Sequence, residues 1–171
     1  DIAGGSVDQS LEFTVIAAEP STRLVVGKLT LDFPESNWRD VANGCGYPIC
    51  ETDGFATEQT SEGYAPTGHL SLVSTALRAQ QGFPCDPAEI SGTACFVADR
   101  AHFEGDAPAV SIGGKSPSWS TAVVSDSGRP WSGYIWCVQD EGVCAMYLTD
   151  NASPRVSSAL IAVLSSAEWT G

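Results

Sequence analysis

Residues 131–149, WSGYIWCVQDEGVCAMYLT, contain two apolar runs on either side of a polar turn. Both runs are rich in aromatic and β-branched residues, which is typical of strands. A turn centred on Asp140 and Glu141 makes them an antiparallel hairpin with Cys137 opposite Cys144. Opposed strand residues have Cα atoms about 4.5–5.5 Å apart, within the range that a disulfide tolerates. The stretch therefore predicts a hairpin cross-linked by its own two cysteines.

This register divides the hairpin into two apolar faces. One face carries the cysteine pair, with Ile135 opposite Met146 and Gly133 opposite Leu148, and is expected to be core. The other face carries Tyr134 opposite Tyr147, Trp136 opposite Ala145, and Val138 opposite Val143. A strand pair that is apolar on both faces is expected to be covered on both sides.

The aromatic face has two interpretations. If a C-terminal helix covers it, Tyr134, Trp136 and Tyr147 are core residues, as large aromatic side chains commonly are. If it stays uncovered, they form a flat platform that Trp119 and Trp131 would extend. Such a platform suits a sugar ring or a partner protein, because rigid aromatic rings give a large contact area at a low entropic cost.

The six cysteines indicate a disulfide framework, and therefore an oxidising compartment: secreted, extracellular or periplasmic. We predict local bridges Cys45–Cys50, Cys85–Cys95 and Cys137–Cys144, although six cysteines permit 15 pairings.

The rival interpretation of the cysteines is a zinc site. Only the first pair has a spacing that suits a zinc site, and His69 and His102 stand at no ligand spacing, so we expect neither a metal nor another cofactor.

Length and charge exclude several classes of protein. The 171 residues suit a single domain, here 1–171. The formal net charge of -13 repels nucleic-acid phosphates and anionic lipid, so neither is an expected partner. No apolar run approaches the roughly 18 residues that a membrane-spanning helix requires.

The rest of the chain completes an α+β, β-rich prediction. Residues 11–16 and 24–33 alternate as strands and predict a hairpin, 51–68 read as a surface loop, and 70–81 have helical spacing. A C-terminal helix is expected after Ser153 as N-cap and Pro154 as first helical residue. The predicted fold is a mostly antiparallel sheet or sandwich, stapled by disulfides, with this helix packed on it.

Three functions are compatible with these features, and no nucleophile motif or carboxylate pair favours an enzyme. The leading hypothesis is a secreted or cell-surface, non-catalytic recognition or adhesion domain that binds carbohydrate or a protein partner. The first alternative is a self-assembling subunit of an extracellular filament or surface layer, suggested by the cysteine-rich, lysine-poor, small-residue composition together with the predicted strand at 11–16. The second is a small secreted hydrolase, which requires His69 or His102 in a cleft with a carboxylate.

Overall fold

The computed structural model describes residues 18–44, 52–59, 66–82, 84–88, 95–96, 98–99, 108–126, 128–150 and 153–171. It confirms the predicted class, since the chain is β-rich with antiparallel sheets, a C-terminal helix and two disulfides. The strands are β1 (Ser21–Val26), β2 (Leu29–Pro34), β3 (Trp38–Asn43), β4 (Gly54–Gln59), β5 (Pro66–Ser74), β6 (Ser118–Asp126), β7 (Arg129–Val138), β8 (Val143–Thr149) and β9 (Glu168–Trp169). The helices are α1 (Thr75–Gln80) and α2 (Ser158–Ser165), and a 3₁₀ turn spans Gln139–Glu141.

Two antiparallel sheets form a sandwich. The larger has the strand order β3-β4-β5-β8-β7-β6 and the smaller has the order β1-β2-β9. The chain changes sheet between β2 and β3, where the amide of Glu35 donates to the carbonyl of Pro20. Strands β7 and β8 lie inside the larger sheet, with β6 at one edge and β3 at the other.

The hairpin of β7 and β8 has the predicted register. Cys137 lies opposite Cys144 and Tyr134 opposite Tyr147. The two cysteines are bonded, and their Cα atoms are 4.1 Å apart. The left-handed backbone that the chain needs after the 3₁₀ turn is provided by Gly142, with φ of 62°. The turn chemistry read from the sequence therefore sets the register.

Both faces of this hairpin are buried, as its two apolar faces predict. The inter-sheet core lies between the two sheets and includes Tyr134, Trp136 and Tyr147 together with Leu31 and Phe33 of the smaller sheet. The outer core lies on the opposite face of the larger sheet. Its members are Val73, Phe96, Ala98, Ala122, Trp131, Ile135, Cys137, Cys144, Met146 and Leu148.

The second described disulfide, Cys85–Cys95, packs against the outer core. Both predicted bridges within the described residues are therefore confirmed. The predicted Cys45–Cys50 bridge, the strand at 11–16 and His102 lie outside the described residues.

Three local predictions are wrong. Residues 24–33 are not one strand, because the chain turns at Gly27 and pairs β1 with β2. The predicted surface loop at 51–68 contains β4 and the start of β5. The predicted helix at 70–81 is strand up to Ser74 and helix only from Thr75 to Gln80, since β5 pairs with β4 and β8.

The C-terminal helix is present but begins later than predicted. Its N-cap is Ser157, whose hydroxyl accepts the amide of Leu160, and not Ser153. Leu160, Val163 and Leu164 point into the inter-sheet core. Among the described residues, neither helix has the length and apolar character needed to span a membrane.

Candidate functional site

The five aromatic residues proposed as a binding platform lie in different environments. Tyr134, Trp136, Tyr147 and Trp131 are only 9, 1, 2 and 8% exposed, whereas Trp119 is 50% exposed. The smaller sheet and α2 supply the other side of the core that holds Tyr134, Trp136 and Tyr147. Tyr134, Trp136 and Tyr147 are therefore core residues, and the five aromatic side chains do not form a continuous exposed platform. Trp119 is the candidate that remains accessible.

Trp119 stands on the edge strand of the larger sheet, opposite Trp136. Its ring meets the ring of Tyr134 edge-on, with centroids 6.5 Å apart, and Tyr134 in turn lies 5.8 Å from Trp136. The exposed indole is thus the outermost member of an aromatic row that begins in the core. Because the inner rings are fixed by packing, the outer ring has support on one side and solvent on the other.

A cleft of about 440 Å³ opens at the end of the β6–β7 ladder, and Trp119 is not among its lining residues. Its volume lies within the range of small-molecule sites. Ser118, which immediately precedes Trp119, pairs with Cys137 at the cleft wall. The other lining residues are Lys115, Ser116, Val138, Gln139 and Asp140.

Polar side chains in the cleft are partly bonded to one another. The amide of Gln139 donates to Ser118 Oγ at 3.2 Å, and that hydroxyl donates to the carbonyl of Cys137 at 3.1 Å. Hydroxyl and amide groups around an apolar wall are the usual means of orienting a polar ligand. The described groups of the cleft can donate and accept hydrogen bonds to a polar ligand.

Lys115 belongs to a charged cluster at the rim of the cleft. Its ammonium donates to Glu141, and it also lies 5.3 Å from the centroid of the Trp169 ring. Lys28 approaches the same carboxylate at 3.6 Å. The hydrogen bond from Lys115 holds the pKa of Glu141 below its ordinary value. This cluster connects the 3₁₀ turn of the hairpin to the smaller sheet.

A second polar cluster is sealed in the inter-sheet core. The hydroxyl of Tyr147 donates to the carboxylate of Glu58, and both residues are almost fully buried. Burial, together with the bond to Glu58 and its negative charge, raises the pKa of Tyr147 far above its ordinary value. The phenol therefore stays protonated and acts as a permanent donor to Glu58.

A third buried group surrounds Asp53. Its carboxylate accepts the amide of Ser74 at 2.8 Å and lies 3.7 Å from Nε of Arg78. Gln81 donates to the other oxygen at 3.4 Å. These contacts hold the short helix α1 against the start of β4. The cluster is structural, because the side chain of Asp53 is 2% exposed.

His69 does not lie in either described cavity. It is buried beside Trp131, with ring centroids 4.9 Å apart and planes nearly perpendicular. Burial lowers the pKa of His69 below its ordinary value, against weaker opposing effects of Asp150 and Asp40.

The other described cavity is smaller, about 240 Å³, and lies beside the edge strand β3. Its wall includes Asp40, the only non-glycine residue with positive φ in the described part of the chain. Arg39 at this cavity already donates to the carbonyls of Glu35 and Trp38. The bulge here blunts an exposed sheet edge, which is a common structural role.

Sequence reasoning identified Trp119 but not the cleft. The sequence indicates only a turn at Gln139 and Asp140, and it makes no prediction for Ser116 or Ser118. Their sole signal was a polar run next to aromatic strands, which is common in turns. The buried pairing of Glu58 could not be predicted, because its partner Tyr147 is 89 residues away in the chain.

Comparison with known proteins identifies no relative: no protein-family model, no curated protein and no solved structure matches the chain.

Proposed function

We propose that this chain is a non-catalytic recognition domain, exported to an extracellular or periplasmic space, that binds carbohydrate through Trp119 and the adjacent cleft. Exposed indole rings stack on the apolar faces of sugar rings, while neighbouring hydroxyl, amide and carboxylate groups bond the sugar hydroxyls. Here Trp119 would supply the indole ring, and the cleft lined by Ser118, Gln139 and Asp140 would supply the hydroxyl, amide and carboxylate groups.

The observation that carries the proposal is the exposure of Trp119. A ring with half its surface in solvent leaves apolar area uncovered, and the rest of its row is buried. Among the described residues, the other exposed large apolar side chains are Val25 and Ile161, which are aliphatic and isolated on other elements. Among the described residues, Trp119 is the large exposed aromatic side chain, and the residue before it, Ser118, lines the cleft.

The two disulfides support the exported location. Disulfides persist in oxidising compartments and are rare in the cytosol. The strongly negative charge favours ligands that are not anionic, because like charges oppose association. Carbohydrate is thus favoured over nucleic acid and over acidic polymers.

The test is a titration of the folded, oxidised protein with soluble polysaccharides, followed by tryptophan fluorescence and calorimetry. We expect a saturable response to at least one polysaccharide, lost in Trp119→Ala and largely kept in Trp119→Phe. Val25→Ala is the matched control, since it removes an equally exposed apolar side chain from the smaller sheet. A response that Trp119→Ala leaves unchanged would overturn the proposal, as would no response to any polysaccharide.

A further inference from the structure

The end of strand β3 carries a dipeptide that is prone to a spontaneous reaction. Asn43 is followed directly by Gly44, and no other asparagine in the chain has a glycine after it. Asparagine is a thermolabile residue. Because glycine has no side chain, its backbone nitrogen can approach the side-chain carbonyl carbon of a preceding asparagine without steric hindrance. The local sequence therefore favours deamidation at Asn43 over the other asparagines.

The fold holds both reacting groups of this dipeptide in hydrogen bonds. Nδ2 of Asn43 donates to the carbonyl of Val25 at 2.9 Å and to the carbonyl of Asp53 at 3.2 Å. The amide of Gly44 donates to the same carbonyl of Asp53 at 3.1 Å, and the carbonyl of Gly44 accepts Oγ1 of Thr52 at 2.6 Å. The nitrogen that attacks and the amide that leaves are thus both engaged, so the site must open before the reaction proceeds.

The same bonds connect the two sheets. Asn43 is the last residue of β3 in the larger sheet, whereas Val25 belongs to β1 in the smaller sheet. A carboxylate accepts hydrogen bonds but cannot donate them. Conversion of the Asn43 amide to a carboxylate therefore removes both donated bonds and sets a negative charge against two carbonyl oxygens.

We infer that Asn43 is a latent deamidation site that the hydrogen bonds of the folded protein protect, and whose reaction removes this link between β3 and β1. In the open state, the nitrogen of Gly44 loses its proton to solvent base and attacks Cγ of Asn43. The bond from Cγ to Nδ2 then breaks, and Nδ2 leaves as ammonia. Water opens the resulting cyclic imide to aspartate or isoaspartate, so the net reaction exchanges ammonia for water and involves no oxidant.

The first measurement compares the folded, oxidised chain with the same chain unfolded in guanidinium chloride, at one mildly alkaline pH. Peptide mapping by mass spectrometry gives the rate of the amide-to-acid conversion at Asn43. We expect a rate at least about tenfold lower in the folded protein, because only locally open molecules react. Asn37 is the internal reference, and it should react more slowly in the unfolded chain because the side chain of Trp38 hinders attack. Equal rates at Asn43 in the two states, or no reaction in the unfolded chain, would overturn the inference.

Thr52→Val tests whether the contacts at Gly44 provide the protection. The variant loses the hydroxyl that donates to Gly44 and keeps the shape of a side chain that is 7% exposed. Deamidation of the folded variant should be about two- to tenfold faster, as the loss of one hydrogen bond implies. Thr67→Val is the matched control, since it removes a hydroxyl bond to the carbonyl of Glu58 elsewhere in the same sheet. An unchanged rate in Thr52→Val, or an equal acceleration in Thr67→Val, would count against protection by these contacts and overturn the inference.

Asn43→Asp reproduces the aspartate product and tests the structural consequence. We expect a lower midpoint of thermal unfolding than in the native protein, because both donated bonds are lost. Asn37→Asp is the control, since it adds the same charge next to the start of β3 and keeps the oxygen that accepts the hydroxyl of Ser36. Its midpoint should stay close to the native one. A native midpoint in Asn43→Asp, or equal losses in the two variants, would show that the link is not specific and overturn the inference.

Discussion

Tyr147 reaches across strand β5 and donates the hydrogen bond of its phenol to Glu58 on strand β4, passing directly over Gly68. The ring can take this path because Gly68 has no side chain. A Cβ at that position would lie 2.2 Å from the phenol oxygen. The three residues thus connect three adjacent strands of the larger sheet inside the inter-sheet core.

We expect Tyr147→Phe to lower the free energy of unfolding by about 1–3 kcal/mol. The substitution removes the donor and leaves a buried carboxylate without the bond from Tyr147. Chemical denaturation monitored by circular dichroism measures the loss. Glu58→Gln is the comparison, because it keeps an oxygen that accepts the bond and should cost less. A loss below about 0.5 kcal/mol for Tyr147→Phe would show that the bond contributes little.

Gly68→Ala is expected to destabilise the protein by about 1–3 kcal/mol through overpacking against Tyr147. The phenol cannot move aside easily, because it is buried and bonded to Glu58. The same substitution in a Tyr147→Leu background should cost much less, since the ring is gone. Denaturation of the four proteins of this double-mutant cycle gives the coupling energy. Equal costs in both backgrounds would mean that the close approach is not the cause.

Removal of the Cys137–Cys144 bridge by Cys137→Ala with Cys144→Ala should cost about 2–3 kcal/mol. The bridge closes a short loop, with a sequence separation of 7, and the chain-entropy cost of such loops is moderate. The hairpin register should survive, because the turn and the two apolar faces also specify it. Thermal unfolding of the double variant measures the loss. A change of hairpin register, detected from amide contacts by nuclear magnetic resonance, would contradict this account.

Stability should fall as the pH drops through the region of an ordinary histidine, about 6.5. Burial lowers the pKa of His69 in the folded protein, so the unfolded chain binds a proton first as the pH decreases. The contribution of neutral His69 to the free energy of unfolding is complete above about pH 6.5 and is lost progressively as the pH falls below that value. Urea denaturation from about pH 8 to pH 5 measures the slope, and His69→Gln should make it shallower. Identical slopes in the two proteins would exclude His69 as the cause.

The hairpin could be predicted because its signals are local. A four-residue turn, two apolar flanks and one cysteine on each side determine a register without reference to the rest of the chain. Burial of both faces of the hairpin could also be predicted, because both faces carry apolar residues. What supplies that cover could not be predicted, because strands β1 and β2 of the smaller sheet come from residues more than 90 positions earlier and β9 comes from residues after the hairpin.

The mistaken helix at 70–81 has a clear physical origin. Strand β5 is buried on both faces, so Leu70 and Val73 are both apolar although they point to opposite sides of the sheet. That loss of alternation makes a central strand resemble a helix in sequence. The mistaken loop at 51–68 arises because Glu58 reads as a surface residue until its distant partner is known.

The candidate site was only partly predictable for a related reason. Exposure of Trp119 depends on β6 being an edge strand, and strand order is a property of the whole sheet. Trp136, its cross-strand partner, lies one strand further inward and is buried. The sequence placed Trp136 on the aromatic face of the hairpin and Trp119 only as an extension of a platform there.

In the proposed function, the exposed ring of Trp119 is the main contact with the ligand. Its most direct measurement is the ratio of dissociation constants between Trp119→Ala and the native protein, for the polysaccharide that the native protein binds most tightly. We predict weaker binding by at least about tenfold, which corresponds to about 1.4 kcal/mol, with unfolding midpoints that coincide and with Val25→Ala unaffected. Native affinity in a correctly folded Trp119→Ala protein would contradict the account.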